Sequence, residues 1–446
     1  MPDHDVVVLG GGTSGELIAS ELARAGRSVA LVEERLVGGG RPHFADLPAK
    51  SLLHSARRGE SWELAVARRR ALTGNLDDAA AATRLTAEGV TLLRGRGRIT
   101  GPGTVEVDGV EHGCTDLVVC TGSEPVLPEV EGLATVPVWT SDNALSVPDL
   151  PRRLVVLGGG PYGCELAQAY AAFGSHVTLV EPEERLLGAE APFIGDALAG
   201  ALRRRGAELR LGTGLDRVDP LDPGVRLWLS DGVVLDADRI LVAGERRPRI
   251  TGLGLETLGL VVDPALGLPV DETGRLVPEE EPDGPDTGGV WAAGDVTGLP
   301  PASHTAAYQA RVVASNVLGK RYPADHRAVP RVVRTTPAAY AVGLSPARAR
   351  ELDVDLLVAG HDLARTVRTA LEDDGPGGRV ELYADRDRGV LVGAAAVGPY
   401  AEEWMGEIAL AIRAEIPLGV LTDMVHAFPT YGESLEPPLR ELARRL

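Results

Sequence analysis

Two glycine-rich turns of one design, Gly10-Gly11-Gly12-Thr13-Ser14-Gly15 and Gly158-Gly159-Gly160-Pro161-Tyr162-Gly163, stand in the same chain. Each follows an apolar run, Val6-Val7-Val8-Leu9 or Leu154-Val155-Val156-Leu157, that reads as a buried parallel strand, and each opens a helical pattern. An acid closes the next strand both times: Glu33 and Glu181 lie eighteen residues after the last glycine of their turn. The glycines let backbone approach a pyrophosphate, the helix N-terminus stabilises its charge, and the carboxylate accepts hydrogen bonds from ribose hydroxyls. One Gly-x-Gly-x-x-Gly is a weak signal, because many such turns are only turns. Two with matching context and spacing predict two βαβ units and two bound dinucleotides.

At 446 residues the chain suits three or four domains of ordinary size. A net charge of -19 with no basic stripe argues against a nucleic-acid surface. Strand-forming residues begin at Asp5, and no run of about eighteen apolar residues follows, so the expectation is a cytoplasmic protein with no membrane span. Cys114, Cys120 and Cys164 form no CxxC and no metal-spaced cluster; no metal is expected, and Cys120 and Cys164 read as buried, inert thiols. Only Lys50 and Lys320 are lysines among 45 basic residues. In so arginine-rich a chain, a retained lysine marks a position that arginine would not serve.

The first βαβ unit runs from about Asp5 to Glu34, and Gly38-Gly39-Gly40 leads into a helix opened by Pro48. The alanine-rich stretch from Ser55 to about Glu88 reads as helix. Short strands through Arg94 to Ile99 and Thr104 to Val107 lead to Leu117-Val118-Val119-Cys120-Thr121-Gly122, and Val126 to Pro151 reads as a connection. The second unit spans Leu154 to Glu181, with further strands to about Val242. Gly267 to Gly289 reads as loop, Val290 to Asp295 as a buried strand ending in an acid, and about Ser303 to Leu318 as helix. From Val329 onward, strands at Arg379 to Tyr383 and Gly389 to Val397 and a helix at Tyr400 to Ala414 suggest an α+β terminal domain.

In this order the landmarks resemble the pyridine nucleotide-disulfide oxidoreductase family, which includes dihydrolipoamide dehydrogenase, glutathione reductase and mercuric reductase. The likeness runs through the first fingerprint, Pro48-Ala49-Lys50, Thr121-Gly122-Ser123, Thr140-Ser141-Asp142, the second fingerprint with Glu165, and Ala293-Gly294-Asp295. It continues through Ala302-Ser303-His304-Thr305-Ala306 to Pro429-Thr430 and Glu433. The resemblance implies an α/β fold with two Rossmann-like dinucleotide-binding domains and a C-terminal α+β interface domain, working as a homodimer. Residues 1–148 would begin the FAD-binding domain, 149–265 bind NAD(H), 266–328 complete the FAD and central region, and 329–446 form the interface. FAD would lie at Gly10, Gly12, Thr13, Ser14, Gly15, Glu33, Gly39, Lys50, Thr121, Gly122, Asp295 and Ala306. Asp295 would receive a ribityl hydroxyl or cap a helix, and the two roles can coexist. NAD(H) would lie at Gly158, Gly160, Tyr162, Gly163 and Glu181. A carboxylate at Glu181 bonds a 2'-hydroxyl and repels a 2'-phosphate, and Glu183 and Glu184 deepen the repulsion, so NADH is favoured over NADPH. Arg185 is the one residue that could serve NADPH.

The departures from the family pattern are equally specific. Its two redox cysteines, five residues apart before a Pro-Ser-Lys, are replaced here by Arg41 and Asp46, and its catalytic histidine before the Pro-Thr by Phe428. Glu245 stands where the family usually has the glycine of a Gly-Arg-x-Pro turn, in a register the sequence leaves open. Lys50 and Glu165 match the family pair beside flavin N5, where an ammonium stabilises the reduced ring and the carboxylate orients it; the alternative is an ordinary helix-surface ion pair. Arg41 and Asp46 either form a salt bridge across the gap a disulfide would close, or line a polar pocket with His43. Phe428, Tyr431 and Glu433 of the partner subunit would complete that pocket. An arginine there suits an anionic or carbonyl-bearing acceptor, and Phe428 either stacks on a planar acceptor or fills a core. His304 and His426 read as structural. The expected activity is electron transfer from NADH through FAD directly to a small non-disulfide acceptor such as a quinone. The rivals are a reductase or dehydrogenase of one metabolite, with Arg41, His43, Asp46 and Glu433 as its ligands, and a non-catalytic flavin-binding scaffold.

Overall fold

The computed structural model of the chain describes residues 2–146, 148–277, 289–372 and 377–446; residues 278–288 of the expected Gly267 to Gly289 loop lie outside them. The apolar run at the N-terminus forms the strand His4–Leu9, with Val6 to Leu9 buried on both faces. It pairs in parallel with Val29–Glu33 on one side and Val110–Val119 on the other, placing Val6 opposite Val29 and Asp116. Val90–Arg94 and Gly289–Ala292 extend the parallel sheet at its two sides, and Thr104–Val107 and Gly97–Gly101 add antiparallel strands. The helix Thr13–Arg24 buries Ile18, Ala19 and Leu22 against this sheet at helical spacing. A fully buried aliphatic chain of this size contributes about 1.5–3 kcal/mol, so the stripe fixes the helix on the sheet.

The second unit repeats the design. Five parallel strands lie in the order Glu208–Leu211, His176–Glu181, Arg153–Leu157, Arg239–Val242, Val138–Thr140. In both sheets the strand before the glycine turn has later strands on both sides, the switch point at which open α/β sheets bind ligands beyond their strand ends. The C-terminal sheet is antiparallel, in the order Pro330–Val333, Ala338–Gly343, Val390–Gly398, Arg379–Asp385, Leu356–Asp362. The helices Gly406–Arg413 and Glu436–Arg445 cover it with Ile408, Ile412, Leu439 and Leu442. The α/β architecture with a terminal α+β unit is the one expected from the sequence.

Two local differences have physical causes. The helix expected at Pro48 is Asp46–Arg57, and the helical stretch from Ser55 to about Glu88 takes in its end and two further helices, Trp62–Thr73 and Ala79–Ala87. Gly59 and Gly74, with φ of 64° and 62°, take the left-handed conformation at the breaks, and the Ser61 hydroxyl accepts the Leu64 N–H to start the second helix. The first of the three begins at Asp46, two residues before Pro48. A carboxylate in the first turn complements the helix dipole there, and the proline N–H is still not needed.

Candidate dinucleotide and redox site

Both glycine turns are sterically closed to other residues. A Cβ at Gly15 would lie 1.9 Å from the Gly10 carbonyl oxygen, and one at Gly163 the same 1.9 Å from that of Gly158. On the outer side the space is free: a Cβ at Gly12 or Gly160 would meet nothing within 4 Å. The acids aim at their turns in the same way. Glu33 accepts the Gly11 N–H at 2.7 Å and the Arg35 N–H at 2.6 Å; Glu181 accepts the Gly159 N–H at 2.5 Å and the Glu183 N–H at 2.9 Å.

A cavity of about 610 Å³ opens from the first turn, lined by Gly10, Gly12, Thr13, Ser14, Glu33, Gly39, Thr121, Gly122, Asp295 and Ala306 among others. A partly buried polar chain lines it. Asp295 accepts the Ser123 hydroxyl at 2.7 Å, and Ser123 in turn accepts Arg246 Nε at 2.9 Å. Arg246 also donates to Ser141 at 2.9 Å and to Asp142 at 3.0 Å. The strand Arg246–Pro248 pairs with Ser123–Pro125, which fixes the register left open by the sequence: Arg246 is the arginine of the turn, and the Glu245 side chain is exposed. Sequence reasoning gave Arg246, Ser123 and Asp142 no role, although all three stand in the motifs quoted above.

A second cavity, of about 1680 Å³, is lined by Gly160, Tyr162, Glu165, Glu190, Arg331 and Tyr340 and reaches Arg41, His43, Asp46 and Lys50. Lys50 Nζ donates to Glu165 Oε2 at 2.8 Å, and Glu165 Oε1 accepts the Arg334 N–H at 2.8 Å. Glu165 is 1 % exposed, so this is no helix-surface pair; it ties Asp46–Arg57 to Pro161–Ala172 and to the C-terminal unit. Tyr162 lines both cavities, its ring 5.9 Å from Lys50 Nζ. Burial, then the Asp46 charge, pushes its phenol well above the usual range.

The family model described as pyridine nucleotide-disulphide oxidoreductase matches residues 4–310, and the dimerisation-domain model of the same family matches residues 329–438. The chain belongs to this family. The dihydrolipoyl dehydrogenase of Thermus scotoductus is 33% identical over 98% of this chain and 96% of its own, and that of Pseudomonas aeruginosa 32% over 99% and 98%. The solved HOCl-induced flavoprotein disulfide reductase RclA from Escherichia coli superposes with a TM-score of 0.87 at 26% identity, covering 98% of this chain and 99% of that one. As a member of this family the chain is an oxidoreductase and flavoprotein; FAD and NAD(P)H are the cofactors typical of the group. The open space beside Gly12, the oriented Glu33 and the Asp295 carboxylate fit the first of these, and the matching features at Gly160 and Glu181 fit the second.

The residues singled out at the departures from the family pattern take the following places. Arg41 and Asp46 do not form a salt bridge. Asp46 instead places Oδ1 3.5 Å from Lys50 Nζ and accepts the Ser303 hydroxyl with Oδ2, while Arg41 is exposed and has no ion-pair partner among the described residues. One helical turn separates Asp46 from Lys50, which makes the lysine the nearer cation. Tyr431 is buried within its own chain, its phenol donating to Glu372 at 2.9 Å and raised by burial. Phe428 is 71 % exposed and Glu433 partly buried at the start of a short turn. His43 is buried, its Nε2 donating to the Val37 carbonyl at 2.9 Å. His304 donates to the Pro330 carbonyl at 2.7 Å, and His426 lies between Glu407 and Glu436. All three cysteines are free and buried. Among the described residues no group of three metal-ligating side chains is arranged to hold an ion, and no helix is long and apolar enough to cross a membrane.

Proposed function

We propose that the protein takes electrons from NADH and passes them through FAD directly to a small non-disulfide acceptor, of which a quinone is the simplest type. The observation that carries this reading is the split in the redox segment: Lys50 keeps its 2.8 Å bond to Glu165, while the positions corresponding to the family's cysteine pair hold Arg41 and Asp46. Relatives named as disulfide reductases would exchange electrons through sulfur, and this chain has no thiol between Arg41 and Lys50. FAD, when bound, supplies a two-electron carrier between nicotinamide and acceptor. The residues do the rest. Gly10, Gly12, Thr13, Ser14, Gly15, Gly39, Thr121, Gly122 and Ala306 would hold its pyrophosphate and linker, with Glu33 and Asp295 on its hydroxyls. Gly158, Gly160, Tyr162 and Gly163 would hold the nicotinamide dinucleotide. The cluster Glu181, Glu183 and Glu184 favours NADH by repelling a 2'-phosphate.

Lys50, held by Glu165, would supply the ammonium beside the reacting ring. Arg41, exposed and unpaired at the cavity, is the cation that would meet an anionic or carbonyl-bearing acceptor. We assign residues 1–148 and 266–328 to FAD binding, 149–265 to NAD(H) binding and 329–446 to a homodimer interface. The exposed Val425 and Phe428, 90 % and 71 % accessible, would then be covered by the partner subunit, which would bring Phe428 and Glu433 to the acceptor side. The same free Arg41 supports a second reading, in which one specific anionic metabolite is the acceptor. Rapid mixing of the yellow holoprotein with NADH separates the alternatives. Fast bleaching followed by reoxidation with a panel of quinones is the expected result, slow reoxidation by every generic acceptor favours the dedicated metabolite, and flavin that NADH does not bleach leaves only the scaffold.

A further inference from the structure

Lys50 faces two carboxylates. On the side opposite Glu165 stands Asp46, the first residue of the helix Asp46–Arg57, with Oδ1 3.5 Å from Lys50 Nζ. The Ser303 hydroxyl, from the first residue of the helix Ser303–Val317, fixes the other oxygen. Asp46 lines the first cavity together with Gly12, Tyr162 and Asp295, and it also lines the second. Among the described residues Lys50 is the one cation that forms an ion pair with Asp46; Arg246 is committed to Asp142, Ser141 and Ser123, and Arg41, which lines the same cavities, makes no ion pair with it. The cluster thus sets two carboxylates, Asp46 and Glu165, against one ammonium, Lys50, in a partly buried place, where charges act more strongly than in water.

We propose that Asp46 is a positioning residue that sets the reduction potential of the bound flavin by sharing the Lys50 ammonium with Glu165. The proposal rests on the reading that FAD occupies the first cavity. Reducing a flavin by two electrons adds negative charge to its ring; an ammonium beside it favours that step, and a carboxylate competing for the ammonium opposes it. Asp46 thus makes the bound flavin a stronger reductant, which suits direct delivery of electrons to an acceptor without a sulfur relay.

The test is the midpoint potential of the purified holoprotein, titrated with a chemical reductant against reference dyes, so that no nicotinamide is needed. Asp46→Asn, which keeps shape and removes charge, is expected to raise the equilibrium constant for reduction about tenfold, about 30 mV for a two-electron couple. Asp46→Glu keeps the low potential, and Ser303→Ala, which only frees the carboxylate, raises it by a smaller factor of about three. In a Lys50→Met background the Asp46→Asn shift falls below about threefold. An Asp46→Asn potential within twofold of the parent overturns the proposal, and so does a shift of undiminished size in the Lys50→Met background. Failure of NADH to bleach the flavin, with the potential shift intact, would instead remove the function proposed above and leave this inference standing.

Discussion

The Glu165 carboxylate is held by two elements at once: one oxygen accepts the Lys50 ammonium and the other the Arg334 backbone N–H, each at 2.8 Å. Glu165→Ala leaves a buried amide without its acceptor and the Lys50 ammonium with Asp46 alone, which costs about 3 kcal/mol and is read as a lower urea midpoint. Glu165→Gln keeps an oxygen for one of the two donors and loses less than half of that. Lys50→Met removes the charge and is expected to slow flavin reduction by NADH at least tenfold in stopped flow; an unchanged rate would refute the role given to Lys50.

Arg41 makes no ion pair among the described residues and is exposed, so its removal should leave the fold alone. For Arg41→Ala we expect a stability change within about 0.5 kcal/mol and NADH bleaching within twofold of the parent. Acceptor kcat/KM, by contrast, should fall at least fivefold for anionic or carbonyl-bearing acceptors. Equal turnover across such a panel would take Arg41 out of the acceptor site.

Preference between the two nicotinamide cofactors follows from Glu181, whose carboxylate is turned toward the second glycine turn by the Gly159 N–H. Glu181→Ala removes the ribose ligand and the repulsion together, and the ratio of kcat/KM for NADH over NADPH is expected to narrow at least tenfold. A ratio that does not move would place the discrimination elsewhere.

Burial pushes the Cys114 thiol up to about 11 and Cys120 up to about 12, and Cys164 rises further for the same reason. Native protein at pH 8 should therefore give no fast reaction with a thiol reagent, and all three cysteines should react once it is denatured. One rapid thiol in the folded holoprotein would reopen the case for sulfur chemistry.

The Ser55 hydroxyl, then Arg68 and Arg58, hold the Glu60 carboxyl down to about 2 from its ordinary 4.5. Glu60 binds its proton more weakly folded than unfolded, so its stabilisation is complete above about pH 5 and is lost as pH falls through the window from 4.5 to about 2. A series of urea unfolding curves should show Glu60→Gln less stable than the parent at pH 6 and converging with it by pH 2. A gap independent of pH would mean that shape, not charge, is what Glu60 contributes.

The parts of the molecule that were legible in the sequence are those whose cause is local. Val6 to Leu9 is apolar because both its faces are buried, and Gly15 is glycine because a side chain would strike the Gly10 carbonyl. The helix breaks at Gly59 and Gly74 were obscured by the alanine-rich residues around them, which carry helix propensity on either side. The partners of Asp46 were hidden for another reason. Arg41 is near it in sequence, but Lys50 lies one helical turn on, and Ser303, its other partner, comes from a helix 257 residues away. The partner of Tyr431 was hidden in the same manner, since the acid that accepts its phenol, Glu372, belongs to a segment 59 residues earlier.

At the mouth of the larger cavity, Arg331 on the strand Pro330–Val333 grips both oxygens of Glu190, just ahead of the helix Pro192–Arg204, at 2.6 and 3.0 Å. This bidentate fork pins the second βαβ unit to the C-terminal sheet, and both of its residues line the cavity. The wall of this cavity is thereby braced by a link that spans two units of the chain rather than by contacts within either one.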